Sequence, residues 1–166
     1  MKKFPLLFLS FIIAQAAFSQ DEASDFDPIA FRTNIEFGFP IGNNVQTYSF
    51  IIGASAEVEY RPIKPLGLTA KAGYLLYTGS SLVNGKNEGM IPVMGGFKAY
   101  THSAFLHAQA GAAFPTASGA KTNFAFSVGL GHRIIRQVIA EVKFMEVKNS
   151  LGHLNHVGVS VGYTFR

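Results

Sequence analysis

The sequence contains no cysteine and no tryptophan, and only 14% of its residues are charged. Without cysteine, neither a disulfide framework nor a thiolate metal site can form. After the first twenty residues, no stretch approaches the ~20 continuous apolar residues of a membrane helix. No run of basic residues suggests a nucleic-acid surface. If the chain enters a membrane, it therefore has to do so as β-strands.

The first residues have the composition of an export signal. Lys2 and Lys3 precede an apolar stretch, and Ala17 and Ser19 are small residues at the −3 and −1 positions of a cleavage site. The pattern predicts a cleaved signal peptide over residues 1–19. The alternative is an uncleaved anchor, but the apolar core is short for a spanning helix. Loss of the two lysines lowers the net charge from +4 to about +2.

The remainder is predicted to form one domain. Residues 20–29 are acidic and without pattern, which is typical of a flexible leader. Residues 30–166 contain most of the 17 glycines, 16 phenylalanines and 6 tyrosines of the chain. This composition favours strands and turns over helices.

Apolar residues alternate with small or polar ones along the last segment, from Val157 to Phe165. This two-residue period is typical of a β-strand with one apolar and one polar face. The same period recurs seven times earlier in the chain. The eight predicted strands cover about 30–39, 48–60, 66–77, 90–100, 104–114, 124–131, 138–144 and 157–165.

The distribution of charge decides which face points where. All strand charges fall on the polar rows, with both signs present. A basic side chain facing the middle of a bilayer costs about 2–4 kcal/mol, so an uncharged row suits lipid and the charged row a narrow lumen. A soluble barrel with the charged row outside is the alternative. The predicted lumen network is Arg32, Glu36, Glu57, Glu59, Lys71, Lys98, His107, Gln109, Glu141 and Lys143.

The connections alternate in length. The longer ones are predicted at Pro40–Thr47, Thr78–Gly89, Pro115–Thr122 and Glu146–Asn155, and the shorter ones at Arg61–Pro65, Thr101–Ser103 and Arg133–Gln137. Long external loops and short periplasmic turns are typical of outer-membrane barrels. The sequence therefore predicts an all-β, eight-stranded antiparallel transmembrane up-and-down β-barrel whose lumen is closed by paired charges.

Three segments carry a family resemblance. They are Ile91–Tyr100, Phe126–Arg133 and Val161–Phe165. The chain resembles the small outer-membrane β-barrel domains, such as the OmpA membrane domain and OmpX. Tyr163 and Phe165 are similar to the C-terminal signal read by the barrel-insertion machinery, although here Arg166 follows the final aromatic residue. The resemblance implies a monomer in the cell outer membrane, in contact with its lipid and, during assembly, with the insertion machinery.

The histidines and serines of the chain do not form the pattern of a metal site or of a catalytic triad. His153 and His156 are three residues apart, but no helix aligns them for a metal. His107 is expected to bond to glutamate or glutamine neighbours in the lumen. Ser103 and Ser150 lie near histidines but lack an acidic partner for a hydrolase triad. No catalytic, metal or cofactor site is predicted.

Three functions remain open from the sequence. The first is a structural or envelope-interaction role for an integral outer-membrane protein. The second is a narrow porin-like channel for small solutes, which needs a water path through the lumen. The third is a lipid-modifying outer-membrane enzyme, which needs a serine or histidine constellation at the membrane surface.

Overall fold

The computed structural model describes residues 28–80, 86–117, 119–149 and 152–165. The predicted signal peptide (1–19) and all but the end of the leader lie outside the described residues. Within them, eight strands pair antiparallel in chain order, and β1 also pairs with β8, which closes a barrel. The strands are β1 (Ile29–Pro40), β2 (Tyr48–Ile63), β3 (Leu66–Gly79), β4 (Glu88–Thr101), β5 (Ala104–Pro115), β6 (Asn123–Ile135), β7 (Val138–Asn149) and β8 (Gly152–Phe165).

The predicted fold class is confirmed. Closure pairs Arg32 of β1 with Thr164 of β8, so neither terminal strand has an unpaired edge. A short 3-10 helix, Gly42–Val45, follows β1. Among the residues described, no helix has the length and apolar character needed to cross a membrane.

Several predicted connections are shorter in the structure because the strands are longer. The prediction of a loop at Glu146–Asn155 is wrong: Glu146 pairs with Asn155, and Lys148 pairs with His153. Backbone pairing does not require apolar side chains, so polar residues continue the ladder. The turns predicted at 61–65 and 133–137 likewise shrink, since β2 runs to Ile63 and β6 to Ile135.

The predicted faces hold along most of the wall. In β1 the burial alternates without exception from Ile29 to Pro40. Ser49 was predicted to face the lumen, and this is wrong. The register shifts between Tyr48 and Phe50, so Tyr48 is buried while Ser49 is exposed.

The outer surface carries an apolar belt, here called the outer belt. Its members are side chains at alternate strand positions that are exposed although large and apolar. They include Phe31, Ile35, Phe37, Val58, Leu68, Ile91, Val93, Phe97, Leu106, Phe124, Val128, Leu130, Val142, Val159, Val161 and Tyr163. The charged rows therefore point inward, and the alternative of a barrel with its charges outside is wrong.

Candidate functional site: a filled lumen

The lumen contains all ten side chains of the predicted polar network. Each is 0–8% exposed. They come from β1, β2, β3, β4, β5 and β7, because alternate positions on every strand point to the barrel axis. Which of these side chains pair depends on the position of each one along the barrel axis.

The first group of lumen contacts surrounds two glutamates of β2 and is here called the Glu57–Glu59 cluster. Arg32 Nη1 lies 2.5 Å from Glu57 Oε1, and Arg32 Nη2 lies 3.3 Å from Glu59 Oε2. Lys98 donates to Glu57 and lies 3.4 Å from Glu59 Oε2. Two cations thus share two carboxylates, and the shared hydrogen bonds offset the cost of enclosing four charges.

The Glu57–Glu59 cluster is extended toward the barrel end that carries the chain termini. Arg61 Nε lies 2.5 Å from Glu59 Oε1, and the Tyr100 hydroxyl donates to the same oxygen at 2.5 Å. The Arg61 guanidinium stacks over the Tyr100 ring, 4.1 Å from its centroid. Glu59 therefore accepts contacts from β1, β2 and β4 and holds these three strands in register.

A second group of contacts, the Glu36 cluster, has one carboxylate between two ammonium groups. Lys71 Nζ lies 2.6 Å from Glu36 Oε1, and Lys143 donates to Glu36 Oε2. The Ser55 hydroxyl also donates to Glu36 Oε1, at 2.6 Å. Side chains from β1, β2, β3 and β7 meet here, so the contact crosses the lumen instead of following the wall.

A third arrangement joins a hydroxyl, an imidazole and a carboxylate. Thr69 Oγ1 lies 3.2 Å from His107 Nε2, and His107 Nδ1 lies 3.1 Å from Glu141 Oε1. The predicted bond between His107 and a glutamate is present, but sequence reasoning missed Thr69. The order of groups is that of a hydrolase triad. However, Thr69 is only 6% exposed, and Gln109 also donates to its hydroxyl at 3.4 Å.

The lumen toward the longer loops is apolar, which the sequence analysis did not foresee. This apolar plug consists of Tyr48, Ile51, Leu75, Tyr77, Met90, Met94, Ala113, Ala125, Met145, Val147 and Leu154. The sequence did contain a pattern that indicates these inward apolar residues. Near the loop ends, alternation gives way to runs such as Phe50-Ile51-Ile52 and Tyr74-Leu75-Leu76-Tyr77. Such runs are apolar on both faces of the strand.

Tyrosines fix the apolar plug in place. The Tyr77 ring is 0% exposed and meets the Tyr48 ring edge-on, with the centroids 5.5 Å apart. The Tyr77 hydroxyl lies 3.3 Å from His156 Nδ1, and the Tyr48 hydroxyl donates to Glu88 at 2.6 Å. Each buried phenol therefore has a polar partner at its tip.

The two histidines near the end of the chain do not converge. His156 is enclosed in the lumen beside Tyr77, whereas His153 is exposed and lies 2.6 Å from Glu146 Oε1. Their odd and even positions put them on opposite faces of β8. Over the described ranges, no group of three or more histidine, cysteine, aspartate or glutamate side chains is arranged to hold a metal.

No protein-family model matches the chain, and no curated protein matches it. Several solved structures are similar to the chain. The N-terminal β-barrel domain of Pseudomonas aeruginosa OprF is similar with a TM-score of 0.60 at 13% identity, over 82% of this chain and 97% of that one. The fold is that of the small outer-membrane β-barrels.

Two further structures share this fold. Ail, the attachment invasion locus protein of Yersinia pestis, has a TM-score of 0.58 at 14% identity, covering 82% of this chain and 97% of its own. The de novo designed barrel TMB2.3 reaches 0.60 at 18% identity, over 86% of this chain and 99% of its own. In an outer-membrane β-barrel the apolar outer belt is the lipid-facing surface.

Proposed function

We propose that the protein is an integral outer-membrane β-barrel with a structural or envelope-interaction role, and that its lumen does not conduct. The observation that supports the proposal is that side chains fill the lumen in two successive layers, one charged and one apolar. The Glu57–Glu59 and Glu36 clusters occupy one part of the axis, and the apolar plug occupies the part toward the longer loops.

Each layer opposes ion passage for its own reason. In the Glu57–Glu59 cluster the charges are bonded to one another, and Lys98 is 0% exposed. In the apolar plug an ion would lose its hydration without gaining polar partners. An eight-stranded barrel is only wide enough to be filled by side chains, so neither layer leaves room for a bypass.

The location in the outer membrane rests on independent features of the chain. The outer belt suits lipid, and the predicted signal peptide suits export. Tyr163 and Phe165 lie on the outward face of the last strand, 44% and 52% exposed. This position suits recognition of the strand by the insertion machinery, the partner implied by the family resemblance.

Gel mobility and planar-bilayer conductance test the proposal together. A folded barrel in the membrane fraction should migrate faster unboiled than boiled, and the same preparation should give no conductance steps. In the double variant Tyr77→Ala with Lys98→Ala each layer loses one large side chain, so this variant should pass ions more readily than the wild-type protein, provided that it shows the same mobility shift. Regular conductance steps from the wild-type protein would favour the porin-like alternative. Absence of any mobility shift would contradict the membrane barrel.

A further inference from the structure

Toward the longer loops, the outward rows of β7 and β8 become polar. Glu146 and Lys148 lie on the outward row of β7, and His153 and Asn155 lie on that of β8. Among the described residues, Glu146 is the only carboxylate on an outward row of any strand. Phe126 of β6 is paired opposite it, so this carboxylate lies at the edge of the outer belt. A carboxylate in such a place needs a cation or hydrogen-bond donors to replace part of its hydration.

Three side chains with cation-binding atoms are neighbours across the β7–β8 pair. Asn155 is paired directly opposite Glu146, which places their Cβ atoms about 5 Å apart. His153 lies on the same face, two residues before Asn155, and reaches Glu146 diagonally: its Nδ1 lies 2.6 Å from Glu146 Oε1. A carboxylate, an imidazole and an amide are thus grouped on one patch of the outer wall. Glu146, His153 and Asn155 are here called the Glu146 patch.

The amide of Asn155 gives an independent indication of a ligand. Its Oδ1 is buried and has no hydrogen-bond partner. A buried amide oxygen without a partner is unfavourable, because it has lost its hydration and gained nothing in exchange. A hydrogen-bond donor or a cation would satisfy this oxygen. Of the two, a cation also suits the carboxylate of Glu146 and the imidazole of His153.

We infer that the Glu146 patch binds a divalent transition-metal cation such as Zn²⁺ through Glu146, His153 and Asn155. Zn²⁺ accepts imidazole together with oxygen ligands, whereas Mg²⁺ and Ca²⁺ prefer oxygen alone. The ion takes the place of the direct contact between His153 Nδ1 and Glu146. Nδ1 then carries no proton, and in the neutral ring the proton lies on Nε2. Because zinc holds its ligands at about 2 Å, the two side chains need to separate by less than about 1 Å.

Lys148 is the charged neighbour that opposes binding of a cation. It is paired opposite His153 on the adjacent strand, and its side chain is exposed. An exposed ammonium on a flexible stem extends into water, where solvent and salt screen its repulsion. We therefore expect Lys148 to weaken the site by less than about tenfold.

Zinc titration by isothermal calorimetry tests the inference. The full chain is folded in detergent micelles without a histidine tag, and each variant is titrated once it shows the gel mobility shift of a folded barrel. The wild-type protein should bind one Zn²⁺ that an equal concentration of Mg²⁺ does not displace. Glu146→Gln and His153→Gln should each weaken binding by about tenfold or more, because each removes a ligand.

Substitutions of Asn155 and of two other histidines make the test specific. Asn155→Asp places a charged oxygen at the same position and should tighten binding by about threefold or more, since affinity rises with the charge of the ligands. Asn155→Leu keeps a similar size without the oxygen and should weaken binding by about threefold or more. His102 and His132 are exposed toward the opposite end of the barrel. The double variant His102→Gln with His132→Gln is the matched control and should bind Zn²⁺ as the wild type does.

Several outcomes would overturn the inference. The first is the absence of Zn²⁺ binding by the wild-type protein. The second is binding that persists in His153→Gln or Glu146→Gln, or that disappears in the histidine control, since the ion would then lie elsewhere. Displacement by an equal concentration of Mg²⁺ would exclude an imidazole ligand, and equal affinity of the wild type and both Asn155 variants would exclude Oδ1. None of these outcomes affects the closed lumen, which conductance tests separately.

Discussion

Lys98 of β4 bonds to Glu57 of β2, past the intervening strand β3, and its side chain is 0% exposed. The contact spans three strands and does not follow the hydrogen-bonded ladder of the wall. Contacts of this type make the lumen a structural core, although its members are charged. The free energy of such a core depends on every charge keeping its partner.

Replacement of Lys98 by methionine should therefore destabilise the barrel. The substitution keeps most of the side chain's length and its apolar stem but leaves Glu57 and Glu59 with less positive charge in an enclosed space. We expect a loss of about 3–5 kcal/mol in the free energy of unfolding, measured by denaturant titration in lipid vesicles. Lys121→Met, in an exposed loop, should change it by less than about 0.5 kcal/mol. Similar values for the two variants would contradict the structural role of the lumen charges.

The Glu36 cluster predicts non-additive effects. Glu36→Gln leaves Lys71 and Lys143 close together without their shared carboxylate, and Lys143→Met removes one of these two cations. The double variant should be less destabilised than the sum of the single variants, with a coupling of about 0.5–3 kcal/mol in a double-mutant cycle. Simple additivity would show that Lys143 and Glu36 do not interact.

Two glycines on neighbouring strands provide a matched test of wall packing. A Cβ at Gly111 would lie 2.1 Å from the Val93 carbonyl oxygen, a backbone atom that cannot move aside. Gly111→Ala should cost about 1–3 kcal/mol in unfolding free energy. A Cβ at Gly95 would have its nearest neighbour at 3.8 Å, so Gly95→Ala should be close to neutral. The reverse order would indicate that β4 and β5 pack differently.

The outer belt predicts a depth-dependent cost of charge. Val128 lies near the middle of β6, whereas Ile134 lies close to its end, on the side of the barrel that carries the chain termini. Val128→Lys should destabilise the protein in vesicles by about 2–4 kcal/mol, and Ile134→Lys by about 0–1 kcal/mol. Equal and small costs for both would show that Val128 does not face lipid.

The Thr69–His107–Glu141 arrangement is expected to be structural. Because Thr69 is enclosed and also accepts from Gln109, a reactive substrate cannot approach its hydroxyl. A fluorophosphonate probe should therefore leave the folded protein unlabelled, and Thr69→Val should change only its stability. A covalent adduct mapped to Thr69 by mass spectrometry, and lost in Thr69→Val and His107→Ala, would instead support the enzyme alternative.

The sequence by itself determined the strands and most of their faces. A two-residue period is local, so charges at Arg32, Glu57 and Lys98 on one row already separate the lumen from the outer belt. The predicted face or strand end was wrong where a register shift or a run of polar residues interrupted the two-residue alternation. Ser49 follows a register shift at Tyr48, and the polar residues after Glu146 continue a ladder that composition alone had assigned to a loop.

Only the tertiary structure decided which inward side chains meet. Glu36 on β1 pairs with Lys71 on β3 and with Lys143 on β7. No local sequence pattern relates positions on these three strands to one another. Their heights depend on the stagger that accumulates around eight paired strands and is fixed when β1 meets β8. The same stagger brings Met145 and Tyr77 together in the apolar plug and sets Thr69 beside His107. The alternation thus determined which polar side chains the lumen contains, and closure of the barrel determined how they pair.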